Sequence, residues 1–184
     1  FIPFGATEAA SGSQAKPEQL YKRPAANYDL NLASAVAGLR QASGEQLAAF
    51  NALKESSGAP NATLRWNAFG GSPDVIYDFA SAPFSGTPEE AGRAFLSQNA
   101  ALFGIADINN LRVFSQREAL GGHLIRFQQT FNGIPVKDGG VGLVMNADKQ
   151  VIMASGPHFR DVSVNTNPTL SAEQARSAAA SDLN

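Results

Sequence analysis

The alternation of apolar and polar residues predicts an α+β fold, with one main amphipathic helix packed on an antiparallel sheet. Three observations carry this expectation. The stretch "GTPEEAGRAFLSQNAALFG" begins with a complete helix-capping signal. After it the apolar spacing changes from the ~3.6 of a helix to the ~2 of a strand. The pair Asn132-Gly133 then marks a tight hairpin turn inside that strand-like region.

Composition bounds the rest. The chain has 184 residues, room for one ordinary domain or two small ones. A hydrophobic share of 43% supports a real core. With 16% charged residues and a net charge of −2, no basic surface for nucleic acid is expected. No apolar run approaches the ~20 residues of a membrane span. Cysteine is absent, which excludes disulfides, thiolate metal sites and thiol catalysis. Phe1 rather than Met opens the sequence, as expected if a signal peptide has been removed.

Residues 1–27, rich in Gly, Ala, Ser and Gln, read as a flexible leader. Residues 28–58 read as a helical segment. Leu32, Ala35, Val36 and Leu39 recur at helical spacing. In "SGEQLAAFNALKESSG", Ser43 caps, Gln46 completes a capping box and Gly58 closes. Leu47, Phe50 and Leu53, with Ala49, form the expected stripe. "ATLRWNAF" then alternates like a half-buried strand with Leu64, Trp66 and Ala68 on one face. "GGSPD" turns the chain into "VIYDF", with Val75, Tyr77 and Phe79 on one face, giving a hairpin with a long loop. Thr87, Pro88 and Glu90 start the main helix as N-cap, first residue and box partner. Its stripe is Ala91, Ala94, Phe95 and Leu102, with Leu96 and Phe103 beside it. Ala91, Gly92 and Ala94 imply close approach to a sheet.

The strands expected next are "LRVFSQ", "HLIRFQQTF", "IPVKDG", "VGLVMN" and "QVIMAS". Ile125, Phe127 and Phe131 share one face of the second, and Leu124, Arg126, Gln128 and Thr130 the other. Asn132-Gly133 supplies the two positive φ angles of a type I′ turn. Pro135 cannot donate to a ladder, so its strand lies at an edge there or bends. "NADK" is a further tight turn. Past the polar stretch "RDVSVNTNPT", Ser171 and Gln174 open another capped helix lined by Ala172, Ala175, Ala179 and Leu183. The expected core is Trp66, Phe95, Leu102, Ile125, Phe127 and Phe131.

Catalysis has little support in the sequence. The histidines His123 and His158 lie far apart, with no H-E-x-x-H and no G-x-S-x-G. Glu89-Glu90 is explained by capping. His123 and Arg126 fall on opposite strand faces by parity, so they do not converge. Arg126, Gln128 and Gln129 form the polar cluster of interest. They offer either a contact face or internal hydrogen bonds that fix the sheet's shape.

The stretches "GTPEEAGRAFLSQNAALFGI" and "HLIRFQQTFNGIPVKDGGVGLVMNADKQVIMASG" resemble the FTP domain, the fungalysin/thermolysin propeptide motif. Its most specific part is "RFQQTFNGIPV". "ATLRWNAFGGSPDVI" is similar to the segment preceding FTP in fungalysin-type precursors, and "PTLSAEQARSAAASDL" to the first helix of a PepSY domain. The resemblance implies a cystatin-like curved sheet around a helix, with residues 59–160 as an FTP domain and preceding hairpin. It implies residues 161–184 as a linker and the opening of a second, truncated domain. It further implies a secreted zymogen propeptide that chaperones and inhibits a zinc metallopeptidase, with the zinc in that downstream domain and no cofactor in this chain. The partner is then the cognate peptidase domain, in cis or in trans, with no nucleic acid and no membrane. Arg126, Gln128, Gln129, Asn132, Gly133 and Pro135 become the residues for peptidase contact or for shape. The alternative is a stand-alone secreted binding or inhibitor module with no attached catalytic domain.

Overall fold

A computed structural model describes residues 39–182. The expected leader and the helical spacing of Leu32, Ala35 and Val36 lie outside the described residues. The elements run α1 (Gly44–Ser56), β1 (Thr63–Asn67), β2 (Ser72–Tyr77), α2 (Pro88–Gln98), α3 (Ala100–Phe103), β3 (Leu111–Ala119), β4 (Gly122–Phe131), β5 (Ile134–Met145), β6 (Val151–Ser155) and α4 (Ala172–Asp182). The six strands form one antiparallel sheet in the order β1-β2-β6-β5-β4-β3. The architecture is the α+β plan expected, helices on one face of an antiparallel sheet. No helix among the described residues is long and apolar enough to cross a membrane.

The main helix starts where its capping signal lies. The Thr87 side chain accepts from the Glu90 amide at 3.2 Å, and Glu90 accepts from the Thr87 amide at 2.7 Å. Hydrogen bonding to the carboxylate by the Thr87 backbone amide, and next by the Thr87 side chain, holds the Glu90 carboxyl below its ordinary pKa. The helix pauses at Asn99 and resumes as α3, which ends at Gly104 in the left-handed conformation. Its inward face is Ala91, Gly92, Phe95 and Leu96, then Leu102 and Phe103. Ala94, expected in the stripe, is only half-buried, and Gly92 takes the inward place. A Cβ on Gly92 would press Phe127 and Met145 at 3.1 and 3.2 Å. The absence of one lets the helix backbone settle on the sheet. Phe95 sits at the centre, its ring 6.1–6.4 Å from those of Phe79, Phe84 and Phe103.

Helix α1 belongs to the same core, since Leu53 is buried in it and Ala49 and Phe50 pack on its margin. The expected stripe is rotated by one position. Gln46 is buried and Leu47 is exposed. Gln46, Ala49, Phe50 and Leu53 keep helical spacing, and the amide is tolerated because its polar atoms are hydrogen-bonded.

The first hairpin turns at residues 68–71, and Ser72, Pro73 and Asp74 belong to β2 rather than to the loop. Ile76, not Tyr77, enters the core, and Tyr77 is exposed. The alternation is reset by Asp78 at φ 61°, which swings Phe79 inward. Trp66 is half-buried and outside the core cluster. It lies on an edge strand beside a register shift, and its indole N–H donates to the Arg40 carbonyl at 2.7 Å.

Asn132 and Gly133 adopt φ of 50° and 79°, as a type I′ turn requires. "IPVKDG" and "VGLVMN" join into the single long strand β5. Only its second half, from Gly142, pairs with β6, so Pro135 occupies a stretch without a strand on its outer side. Asn146 closes the next turn by accepting from the amides of Asp148 and Gln150. Helix α4 is exposed along its length.

Candidate functional site

Strands β4 and β5 position every residue of the expected cluster, and a register shift between Gln128 and Thr130 decides which way each points. Up to that shift the alternation is regular. Ile125 and Phe127 are buried beneath the helix, while Leu124 and Arg126 face the opposite side. The extra residue at the bulge inverts the parity. Gln129 and Thr130 turn inward, and Phe131 is left half-buried outside the core cluster. That corrects the placement of Phe131 with Ile125 and Phe127, and of Thr130 on the outer face.

The two glutamines are spent inside the chain. Gln128 Nε2 donates to the carbonyls of Val136 and Gly139, both at 2.7 Å. These bonds brace the part of β5 where Asp138 has φ 59°. Gln129 clamps Phe159 at two points. Its Nε2 donates to the Phe159 carbonyl at 2.7 Å, and its Oε1 accepts the Phe159 amide at 2.9 Å. Thr130 donates to the Asn110 carbonyl, and exposed Asn132 to Thr166 Oγ1. Gln128 and Gln129 therefore fix shape. Gly133 and Pro135 are exposed at the hairpin tip.

Arg126 differs. Its guanidinium lies 5.8 Å from the Phe114 ring centroid. None of the ion pairs among the described residues includes it. It stands in a groove of about 380 Å³ on the outer face of the sheet. Phe114 and Leu124 wall the groove, Gly140, Gly142 and Gly156 form its floor, and Asp138 stands at its margin.

A second polar centre was not legible in the sequence. Gln46 Nε2 donates to the carbonyls of Gly71 at 3.0 Å and Leu102 at 3.2 Å, and its Oε1 accepts from Arg160 at 3.2 Å. It joins α1, the first hairpin and α3 to the segment after β6. Beside it His158 is buried, its backbone amide donating to Ser72 Oγ at 3.0 Å. Burial pushes the imidazole pKa down to about 4, a hydrogen bond to the Phe103 backbone opposes this, and the Arg160 charge adds to the lowering. Nδ1 has no partner. Buried, held neutral and hydrogen-bonded to the Phe103 backbone, His158 packs with Gln46 and Arg160 into what reads as a structural lock. Only the capping box hinted at Gln46, and no local signal marked His158.

Residues 109–156, from the turn before β3 to the residue after β6, match the family described as Fungalysin/Thermolysin Propeptide Motif, FTP. Among solved structures, the Bacillus megaterium YpeB C-terminal domain is similar at 14% identity and a TM-score of 0.44, over 75% of this chain and 74% of that one. No curated protein sequence matches. Strands β3 to β6, which build most of the groove, fall within the matched residues, and β1 and β2 precede them.

Proposed function

We propose that this chain is the propeptide region of a secreted zinc metallopeptidase precursor and serves the peptidase domain as intramolecular chaperone and inhibitor. The observation that carries the reading is the FTP match over 109–156, which falls on the strands that build the outer groove. A prosegment that binds the native peptidase and not its unfolded chain draws the equilibrium toward the folded side. Tethering raises the effective concentration to ~mM, so a modest contact suffices for inhibition, and cleavage of the linker removes that advantage. The zinc belongs to the peptidase domain. This chain contributes a shaped surface, and exposed α4 fits the first helix of a PepSY unit that continues the prosegment.

The test is to refold the zinc metallopeptidase domain encoded in the same reading frame, with and without this chain added in trans. A higher refolding yield and a saturable loss of peptide hydrolysis are expected. An unchanged yield together with unchanged activity at high micromolar chain contradicts the proposal.

A further inference from the structure

The groove offers a more specific statement about what it holds. Gly140 is demanded by the fold, because a Cβ there would collide with the Phe127 carbonyl. Gly142 is not. A Cβ on it would meet Ser155 Oγ at 3.5 Å and Arg126 Cγ at 3.6 Å, ordinary contact distances, and its backbone is not left-handed. Valine or threonine would suit a strand position better. A glycine that packing does not require leaves the sheet backbone bare, as strand glycines do where another backbone comes close.

The walls set the chemistry. Arg126 is exposed, lies over Phe114 and pairs with no carboxylate among the described residues. Arg117, registered opposite Leu124 on the next strand, is likewise exposed and unpaired. Arg126 in the groove and Arg117 beside it, neither in an ion pair among the described residues, favour an acidic partner, which Arg can grip with parallel hydrogen bonds. Asp138, at the groove margin, does not come within ion-pair distance of Arg126. Phe114 and Leu124 are exposed beside these cations and supply apolar area.

We propose that this outer groove binds an extended peptide segment in which an acidic side chain neighbours a large apolar one. The acid meets Arg126, the apolar group rests on Phe114 and Leu124, and the segment's backbone passes over Gly142. Assigning that segment to the peptidase domain rests on the propeptide reading above. The groove's preference for it does not.

The test is a nuclear magnetic resonance titration of the chain with a capped Gly-Phe-Glu-Gly tetrapeptide, the same peptide with Lys for Glu, and acetate. The proposal expects saturable shifts at the Gly142 and Gly156 amides and at Arg126 Nε–H. Binding falls about tenfold with the Lys peptide and in Arg126→Gln, as loss of one charge-assisted contact implies. Gly142→Val abolishes binding while its unfolding midpoint stays near wild type. If that variant does not fold, the Arg126→Gln comparison decides alone. Equal response to both peptides, wild-type binding by folded Gly142→Val, or acetate reproducing the whole effect overturns the proposal. Absence of shifts at millimolar peptide does so too. Should the peptide bind while the wild-type chain neither refolds nor inhibits the peptidase, the propeptide reading falls and the groove stands. Should Arg126→Gln and Gly142→Val inhibit as wild type does, the groove is not the docking site and the propeptide reading stands.

Discussion

On the inner face of the sheet, Ile125, Phe127 and Leu143 are enclosed under Phe95 and Leu96. One residue along the same strands, on the outer face, Leu124 and Arg126 stand in solvent above glycines. The two faces share backbone, register and turns and differ only in what alternate positions carry. The inner set is sufficient to build the fold. The outer set is therefore free to vary in chemistry, and it holds a cation with no ion pair among the described residues, an exposed ring and a bare floor. Stability belongs to one face, and the recognition we propose to the other.

Substitutions separate the two, beginning with the largest effect. Phe95→Ala leaves a cavity among Phe79, Phe84 and Phe103, and about 3–5 kcal/mol of stability is expected to be lost in denaturant unfolding. A loss below 1 kcal/mol would show that the inner face is not the organising core. Acid acts next, through His158. Its folded-state pKa of about 4 lies below the ordinary 6.5, so the unfolded chain binds the proton more tightly. The stabilisation from keeping it neutral is complete above pH 6.5 and falls by about 3 kcal/mol as pH drops to 4. Urea midpoints across that window should decline, and His158→Phe should flatten the decline. An unchanged slope in the variant would mean that other groups set the acid limit.

Smaller effects follow. Gln46→Leu strands the carbonyls of Gly71 and Leu102 and the Arg160 guanidinium, at about 2 kcal/mol. Thermal unfolding of the Ser43→Ala variant distinguishes this from lost capping, which that variant removes while keeping the buried amide. Thr87→Ala costs about 1 kcal/mol through the cap alone. Leu124→Ala, on the outer face, should stay within ~0.5 kcal/mol of wild type. A loss as large as a core substitution would erase the distinction between the faces.

Local chemistry was legible in the sequence. Thr87 with Glu90, Ser43 with Gln46, Asn132-Gly133 and Asn146 each announce a cap or turn through contacts within a few residues, and each forms where it was expected. What failed depended on distant partners. The bulge after Gln128 is set by β5 and sends Gln129 to Phe159, thirty positions away along the chain. Pattern alone continues the alternation through it and so puts Phe131 inside. Gln46 reads as a capping residue because its other partners, Gly71, Leu102 and Arg160, are remote. Arg126 stands out in the sequence together with Gln128 and Gln129 as a polar cluster on a strand. Its place over Phe114, and the absence of an acidic partner among the described residues, emerge only when β3 is laid beside β4.

The proposed propeptide role is tested most directly by which face of the sheet would meet a peptidase domain. Methyl cross-saturation from an unlabelled peptidase domain to the labelled chain measures this directly. Intensity loss is expected at the methyl groups of Leu124, Val144 and Met153, which lie side by side in register on the outer face, and none at enclosed Leu102 and Leu143. Loss centred instead on exposed Leu47 and Leu39, with the Leu124 signal intact, would contradict the proposed role.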